Sequence, residues 1–139
     1  MSQLTYDAVA VGDALPALTS DPISRTTLAL FAGASGDHNP IHIDIDFARK
    51  AGMDDVFSQG MLPMAYLGRL LTDWVPQDAI REFSARFVAI TWLKEAIHCT
   101  GTITEKFEED GETRLRLGIT AANENGDVKL SGSAVVALP

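Results

Sequence analysis

Met61-Leu62-Pro63-Met64-Ala65-Tyr66-Leu67-Gly68-Arg69-Leu70-Leu71-Thr72-Asp73-Trp74 is the stretch that decides the fold. Its apolar side chains cover most of a helical circumference, the pattern of a helix buried by neighbours on several sides. Arg69, Thr72 and Asp73 interrupt it, and it falls short of the roughly 20 residues a membrane helix needs. No basic-then-apolar leader precedes it, so it reads as a core helix of a soluble, cytoplasmic protein. After Pro76 the apolar period changes from helical to two. Phe83, Ala85, Phe87 and Ala89 share one parity, as do Ile97, Cys99 and Ile103, then Leu115, Leu117, Ile119 and Ala121, then Val128, Leu130, Ala134, Val136 and Leu138. These runs predict four strands. Asp110-Gly111 and Asn125-Gly126 separate the later ones and favour tight turns with positive φ, so the last three strands should form an antiparallel meander.

Upstream of the helix, Leu4, Tyr6, Ala8 and Ala10 alternate before Gly12-Asp13, which predicts a short N-terminal strand. From Thr26, the spacing of Leu28, Phe31, Ala32 and Ser35 follows a helical face, with Ser24 as cap and Gly33 and Gly36 as breakers. Pro40 forbids continuation of that helix and pushes Asn39 toward extended geometry. A second short helix is expected near Asp46 to Ala51, closed by Gly52. One buried helix with a strand before it and an antiparallel meander after it is an α+β layout, in which the sheet must curl around the helix: the hot-dog arrangement. At 139 residues, 46% of them apolar, the chain suits one domain over 1–139 and leaves no room for a second.

The net charge of -8, with no basic cluster longer than Arg49-Lys50, argues against nucleic acid, whose binding rests on neutralising phosphates. A single cysteine, Cys99, forms no internal disulfide and reads as a small core residue. His98 alternates with Thr100, Thr102 and Thr104 on the polar parity of a strand, a solvent-facing or interface position.

Gly36-Asp37-His38-Asn39-Pro40-Ile41-His42 places an acid and an imidazole on a bend that cannot be helical. Asp37 and His42 could divide acid and base work on one substrate. The residues alone describe an Asx-turn with an incidental histidine somewhat better, because Asp and Asn before Pro are ordinary turn residues. A metal site fits less well: His38 and His42 stand four apart, but Pro40 between them breaks the helical alignment that would aim both at one ion. Ser58-Gln59-Gly60 offers half a nucleophile elbow, with Val56 where a glycine should stand. Gly60 opens the core helix and has two readings: the helix's first amides and positive dipole end could hold a carbonyl oxygen, or the glycine serves only a tight turn into the helix.

The run Phe31-Ala32-Gly33-Ala34-Ser35-Gly36-Asp37-His38-Asn39-Pro40-Ile41-His42, followed by Phe47-Ala48 and Gln59-Gly60-Met61-Leu62, resembles the MaoC-like (R)-specific enoyl-CoA hydratase family, whose signature is Gly-Asp-x-Asn-Pro-x-His. The resemblance implies a single hot-dog domain that hydrates trans-2-enoyl-CoA to (R)-3-hydroxyacyl-CoA, or runs the dehydration. It implies that Asp37 and His42 are the catalytic pair acting on one water, that Gly60 receives the thioester oxygen, and that Asn39 braces the loop. Met61, Met64, Ala65 and Gly68 would line the acyl pocket, and Lys50, Arg69, Arg81, Arg86 and Lys94 are the cations available to CoA phosphates. No metal or organic cofactor is expected, the CoA thioester being the substrate. The partner state implied is a homodimer, or a heteromer with a related hot-dog subunit, with no nucleic acid and no membrane. One departure is Gln59, where many members carry histidine before the glycine; glutamine hydrogen-bonds but does not titrate near neutral pH. An acyl-CoA thioesterase and an acyl-CoA-binding subunit of a heteromeric hydratase are the alternative functions.

Overall fold

The computed structural model describes residues 3–139. Three helices and five strands occur in the order β1 (Leu18–Thr19), α1 (Arg25–Ser35), α2 (Ile45–Lys50), α3 (Met61–Thr72), β2 (Ile80–Phe87), β3 (His98–Glu109), β4 (Glu112–Ala122) and β5 (Val128–Ala137). The strands form one antiparallel sheet in the order β1-β3-β4-β5-β2, and α3 lies against all five of them. This is the hot-dog fold. β3, β4 and β5 are the expected meander, while β2 closes the far side by pairing with β5, Phe83 opposite Ala134 and Phe87 opposite Leu130. β5 passes β2 so closely at Gly132 that an added Cβ would collide with the Ser84 carbonyl.

The core forms where α3 meets the concave face of the sheet. Leu67, Leu70 and Leu71 from α3 pack with Ile103, Leu115, Leu117, Ile119 and Leu130, each at most 1% exposed. Each such side chain contributes about 1.5–3 kcal/mol by leaving water. α3 is less enclosed than its sequence suggests, because Met61, Ala65, Arg69 and Thr72 make an exposed stripe. It also stops at Thr72 and not at Trp74, since Pro76 removes the donor and geometry that a further turn would need.

The other local expectations divide in an instructive way. Ser24 caps α1 through a reciprocal capping box with Thr27, and Gly36, at φ 78°, ends it in the left-handed conformation. Gly33 stays helical. Asp110 (φ 54°) and Gly111 (φ 74°) make the tight turn expected of them. In the β4–β5 turn only Gly126 takes positive φ (84°), because the Asn123 side-chain oxygen accepts from the Asn125 and Asp127 amides and builds a longer turn. The N-terminal strand is absent: Tyr6–Ala8 is one 3-10 turn, tied down by the Lys106 ammonium donating to the Tyr6 and Val9 carbonyls, each at 2.8 Å. The strand that precedes α1 is the two-residue β1, paired with β3 through Leu18 and Cys99. The two sheet edges are therefore unequal, two residues long at β1 and eight at β2. Among the described residues no helix is long and apolar enough to cross a membrane.

Candidate active site

The bend 36–42 is built by its own side chains. Asp37 Oδ1 accepts from the Asn39 amide at 3.3 Å, and Asn39 Oδ1 accepts from the Ile41 amide at 3.1 Å. Two successive Asx-turns thus reverse the chain, and Pro40 starts the single 3-10 turn, Pro40–His42, that carries the histidine. Asn39 braces the loop as its residue type suggests. His38 is exposed, whereas the His42 side chain is only 9% exposed.

His42 Nδ1 lies 2.7 Å from the Phe57 carbonyl oxygen. A carbonyl only accepts, so Nδ1 carries the proton, and in the neutral ring Nε2 holds the lone pair. Nε2 points to Asp37 Oδ2 at 3.6 Å. That gap exceeds a direct hydrogen bond and lets one water bond both groups. The Asp37 carboxylate is 42% exposed, and among the described residues no lysine or arginine pairs with it. One of its oxygens is engaged by the loop and the other is aimed at the imidazole. The His42 ring also meets Phe57 edge-on, centroids 5.2 Å apart at 86°.

Phe57 joins this pair to a cavity. With Ser58, Gly60, Pro63, Phe87, the segment 88–91 and Leu130, it lines a largely apolar space of about 340 Å³. Gly60 sits at the start of α3 with helical backbone (φ -60°, ψ -33°), and its amide bonds to nothing else among the described residues. A Cβ there would come within 3.1 Å of the Phe87 ring, so the absence of a side chain keeps the backbone open to the cavity. A larger cavity of about 540 Å³ lies beyond Trp92, between the 22–25 segment, Asp55 and Lys94. Neither cavity is lined by Asp37 or His42; the smaller one contains Gly60 and is joined to the pair through Phe57, whose carbonyl meets His42 Nδ1, so it is the candidate substrate space.

Asp37, Asn39 and His42 come together on one bend, and Gly60 reaches them through Phe57. Met61 is 54% exposed and Met64 is half-buried against the core; the cavity lining beside Gly60 contains neither. Gln59 is fully buried, its Nε2 donating to the Leu28 carbonyl of α1 at 3.0 Å, while its Oε1 has no partner. It fastens α1 to the start of α3. The cations are unequally free. Arg81 makes a two-pronged contact with Glu112, and Arg69 lies 3.9 Å from Asp73, whereas Lys50, Arg86 and Lys94 have no ion pair among the described residues. His98 is exposed and bonded to Thr19 at 2.6 Å, and Cys99 is a core thiol that burial pushes up to about 11. Phe57, whose ring meets Trp92 edge-on at 5.8 Å, is a site residue that sequence reasoning missed. Its only signal is that it is aromatic and stands just before the core helix.

The chain is similar in sequence and fold to several known proteins. The chain is 29% identical over 119 residues to the (R)-specific enoyl-CoA hydratase of Rhodospirillum rubrum, covering 84% of this chain and 81% of that one. It is also 29% identical over 132 residues to the fatty acid synthase subunit beta of Saccharomyces cerevisiae, taking in 90% of this chain but only 6% of that much longer protein. The structure of the R-hydratase PhaJ1 from Pseudomonas aeruginosa, in its unliganded form, superposes with a TM-score of 0.83 at 25% identity, covering 99% of this chain and 86% of that one. The model of the family described as MaoC like domain matches residues 8–124, and the chain therefore belongs to that family.

Proposed function

We propose that the protein adds water to a trans-2-enoyl-CoA to give the (R)-3-hydroxyacyl-CoA, or removes it, with Asp37 and His42 sharing the water between them. The observation that carries this reading is the 3.6 Å separation of Asp37 Oδ2 and His42 Nε2, combined with the Phe57 carbonyl that fixes the ring's other nitrogen. Both acceptors face one point, so a water held there turns its oxygen outward. As that oxygen attacks the β-carbon, one water proton passes to the pair, and the pair returns a proton to the α-carbon on the same face. The net change is addition of H and OH across the double bond, with no proton gained or lost by the enzyme. Electron density moves onto the thioester oxygen during the attack, where the unengaged Gly60 amide and the dipole of α3 would stabilise it. The protein's own groups supply placement and charge stabilisation, and the thioester supplies the activation.

Homology to an enzyme named for (R)-specific enoyl-CoA hydration supports the substrate class. A homodimer joined through the unpaired edge of β2 belongs to the same proposal, supported by the exposed Phe87, Val88 and Ile90 at its end, as does a cytoplasmic setting. The test follows the loss of enone absorbance with crotonyl-CoA and a longer enoyl-CoA. Asp37→Asn and His42→Ala should each lower the rate by about 100- to 10,000-fold. Full activity in either variant overturns the pairing. Release of free thiol from a saturated acyl-CoA, without hydration of the enoyl form, would overturn the reaction assignment in favour of a thioesterase.

A further inference from the structure

The connection from β2 to β3, residues 88–97, has no regular structure along most of its length. It nevertheless walls the cavity beside Gly60 with one half and meets Phe57 with the other. A buried ion pair holds it. The Lys129 ammonium, on a side chain 6% exposed, lies 2.9 Å from Glu95 Oε2, whose side chain is 13% exposed. It also donates to the Ile90 carbonyl at 2.9 Å and to Glu95 Oε1 at 3.2 Å. Glu95 Oε1 accepts from the Trp92 amide at 3.0 Å, and the Lys129 carbonyl accepts from the Val88 amide at 2.8 Å. Val88, Ile90 and Trp92 are thus tied to one lysine or to its partner. Desolvation offsets most of the attraction in so deep a pair, so net stability does not explain it. What it supplies is direction, because its donors and acceptors reach successive backbone groups of a segment that otherwise lacks a ladder.

The segment so fixed leads to the imidazole. The Ser58 amide donates to the Thr91 carbonyl at 2.9 Å, and Phe57 pairs with Trp92 as an isolated antiparallel bridge. Phe57 then presents its carbonyl to His42 Nδ1. We propose that Glu95 and Lys129 are a positioning pair for His42: they fix the 90–92 backbone, which fixes the Phe57 peptide, which fixes the tautomer and angle of the ring. The inference rests on the role given to His42 above, and deepens it.

Glu95→Gln, Lys129→Met and the double variant test it in the full-length protein, by crotonyl-CoA hydration, thermal melting and the ¹⁵N NMR signature of the His42 ring. Each single variant should lower kcat by about 10- to 100-fold, the effect of misplacing a reacting group by about an ångström, with a smaller change in KM. The His42 signals should change from one Nδ1–H tautomer to a mixture. In the double variant no buried charge is left unpaired, so melting should return toward wild type while kcat and the tautomer do not. Recovery of kcat along with melting, or an unchanged His42 tautomer in both single variants, overturns the proposal. The NMR arm needs no turnover: a tautomer shift in a protein that hydrates no enoyl-CoA would uphold the positioning pair and sink the function assigned to His42.

Discussion

Acidic and basic side chains meet in opposite ways at the bend 36–42 and at the hairpin tip that joins β3 to β4. At the tip, Arg114 reaches Glu109 at 2.6 Å and Glu112 at 2.8 Å, and Arg81 takes both oxygens of Glu112. Donors and acceptors there are closed on one another. At the bend, an imidazole and a carboxylate stop 3.6 Å apart, each held from behind by backbone. The difference separates ion pairs that fasten strands from a pair left open for a third molecule. Both arrangements set a carboxylate against a basic side chain, so residue type alone does not tell them apart; the distance and the backing do.

The largest expected effect tests that separation directly. His42→Ala should remove about 100- to 10,000-fold of the hydration rate in a protein that still folds cooperatively. Arg114→Met should do the reverse, lowering the melting temperature and leaving kcat unchanged. Equal losses of activity in the two variants would collapse the contrast. A smaller effect is expected at Gly60→Ala, where the new methyl meets the Phe87 ring at about 3.1 Å and pushes it across the cavity. A drop of about tenfold in kcat/KM is expected, as for a reacting group displaced by a fraction of an ångström. Unchanged kinetics would show that the cavity beside Gly60 does not take the acyl thioester.

Acid stability should sharpen the comparison from the other side. The Arg81 and Arg114 guanidiniums hold the Glu112 carboxyl down at about 2, below its ordinary 4.5. A carboxylate with a depressed value contributes stability that is complete above its ordinary value and is lost as pH falls through the depressed one. Melting should therefore decline between about pH 4.5 and 2, and Glu112→Gln should flatten that limb. An identical acid limb in the variant would assign the decline to other carboxylates. The smallest effect is at Cys99, where burial pushes the thiol up to about 11: it should resist a thiol reagent at pH 8 until the protein unfolds. Prompt labelling of the native protein would place it outside the core.

What was legible in the sequence was local or periodic. The Ser24 cap, the Gly36 stop, the Asp110-Gly111 turn and the period-two runs each depend on neighbours a few residues away, and the structure contains them. The bend was legible for the same reason, since Asp37, Asn39 and Pro40 shape it themselves. Reading failed where partners are remote. Leu4 to Ala10 alternates like a strand, but Lys106, some hundred positions on, ties that stretch down as a 3-10 turn. The pairing of β2 with β5 rather than with the next strand needs contacts across about fifty residues. Phe57 was invisible as a site residue because it acts through a backbone carbonyl, which every residue has. Lys129 and Glu95 stand 34 positions apart, and nothing near either one announces the other.

The unequal sheet edges have a consequence for assembly. Strand addition needs a run of unpaired backbone groups, and β2 offers eight residues where β1 offers two. Two copies meeting through β2 would use up both eight-residue edges at once, while on the opposite side β1 and the 12–15 segment already cover β3 as far as Ile103. A contact through β2 would then be closed at a pair, because the same patch on each copy is spent on the other.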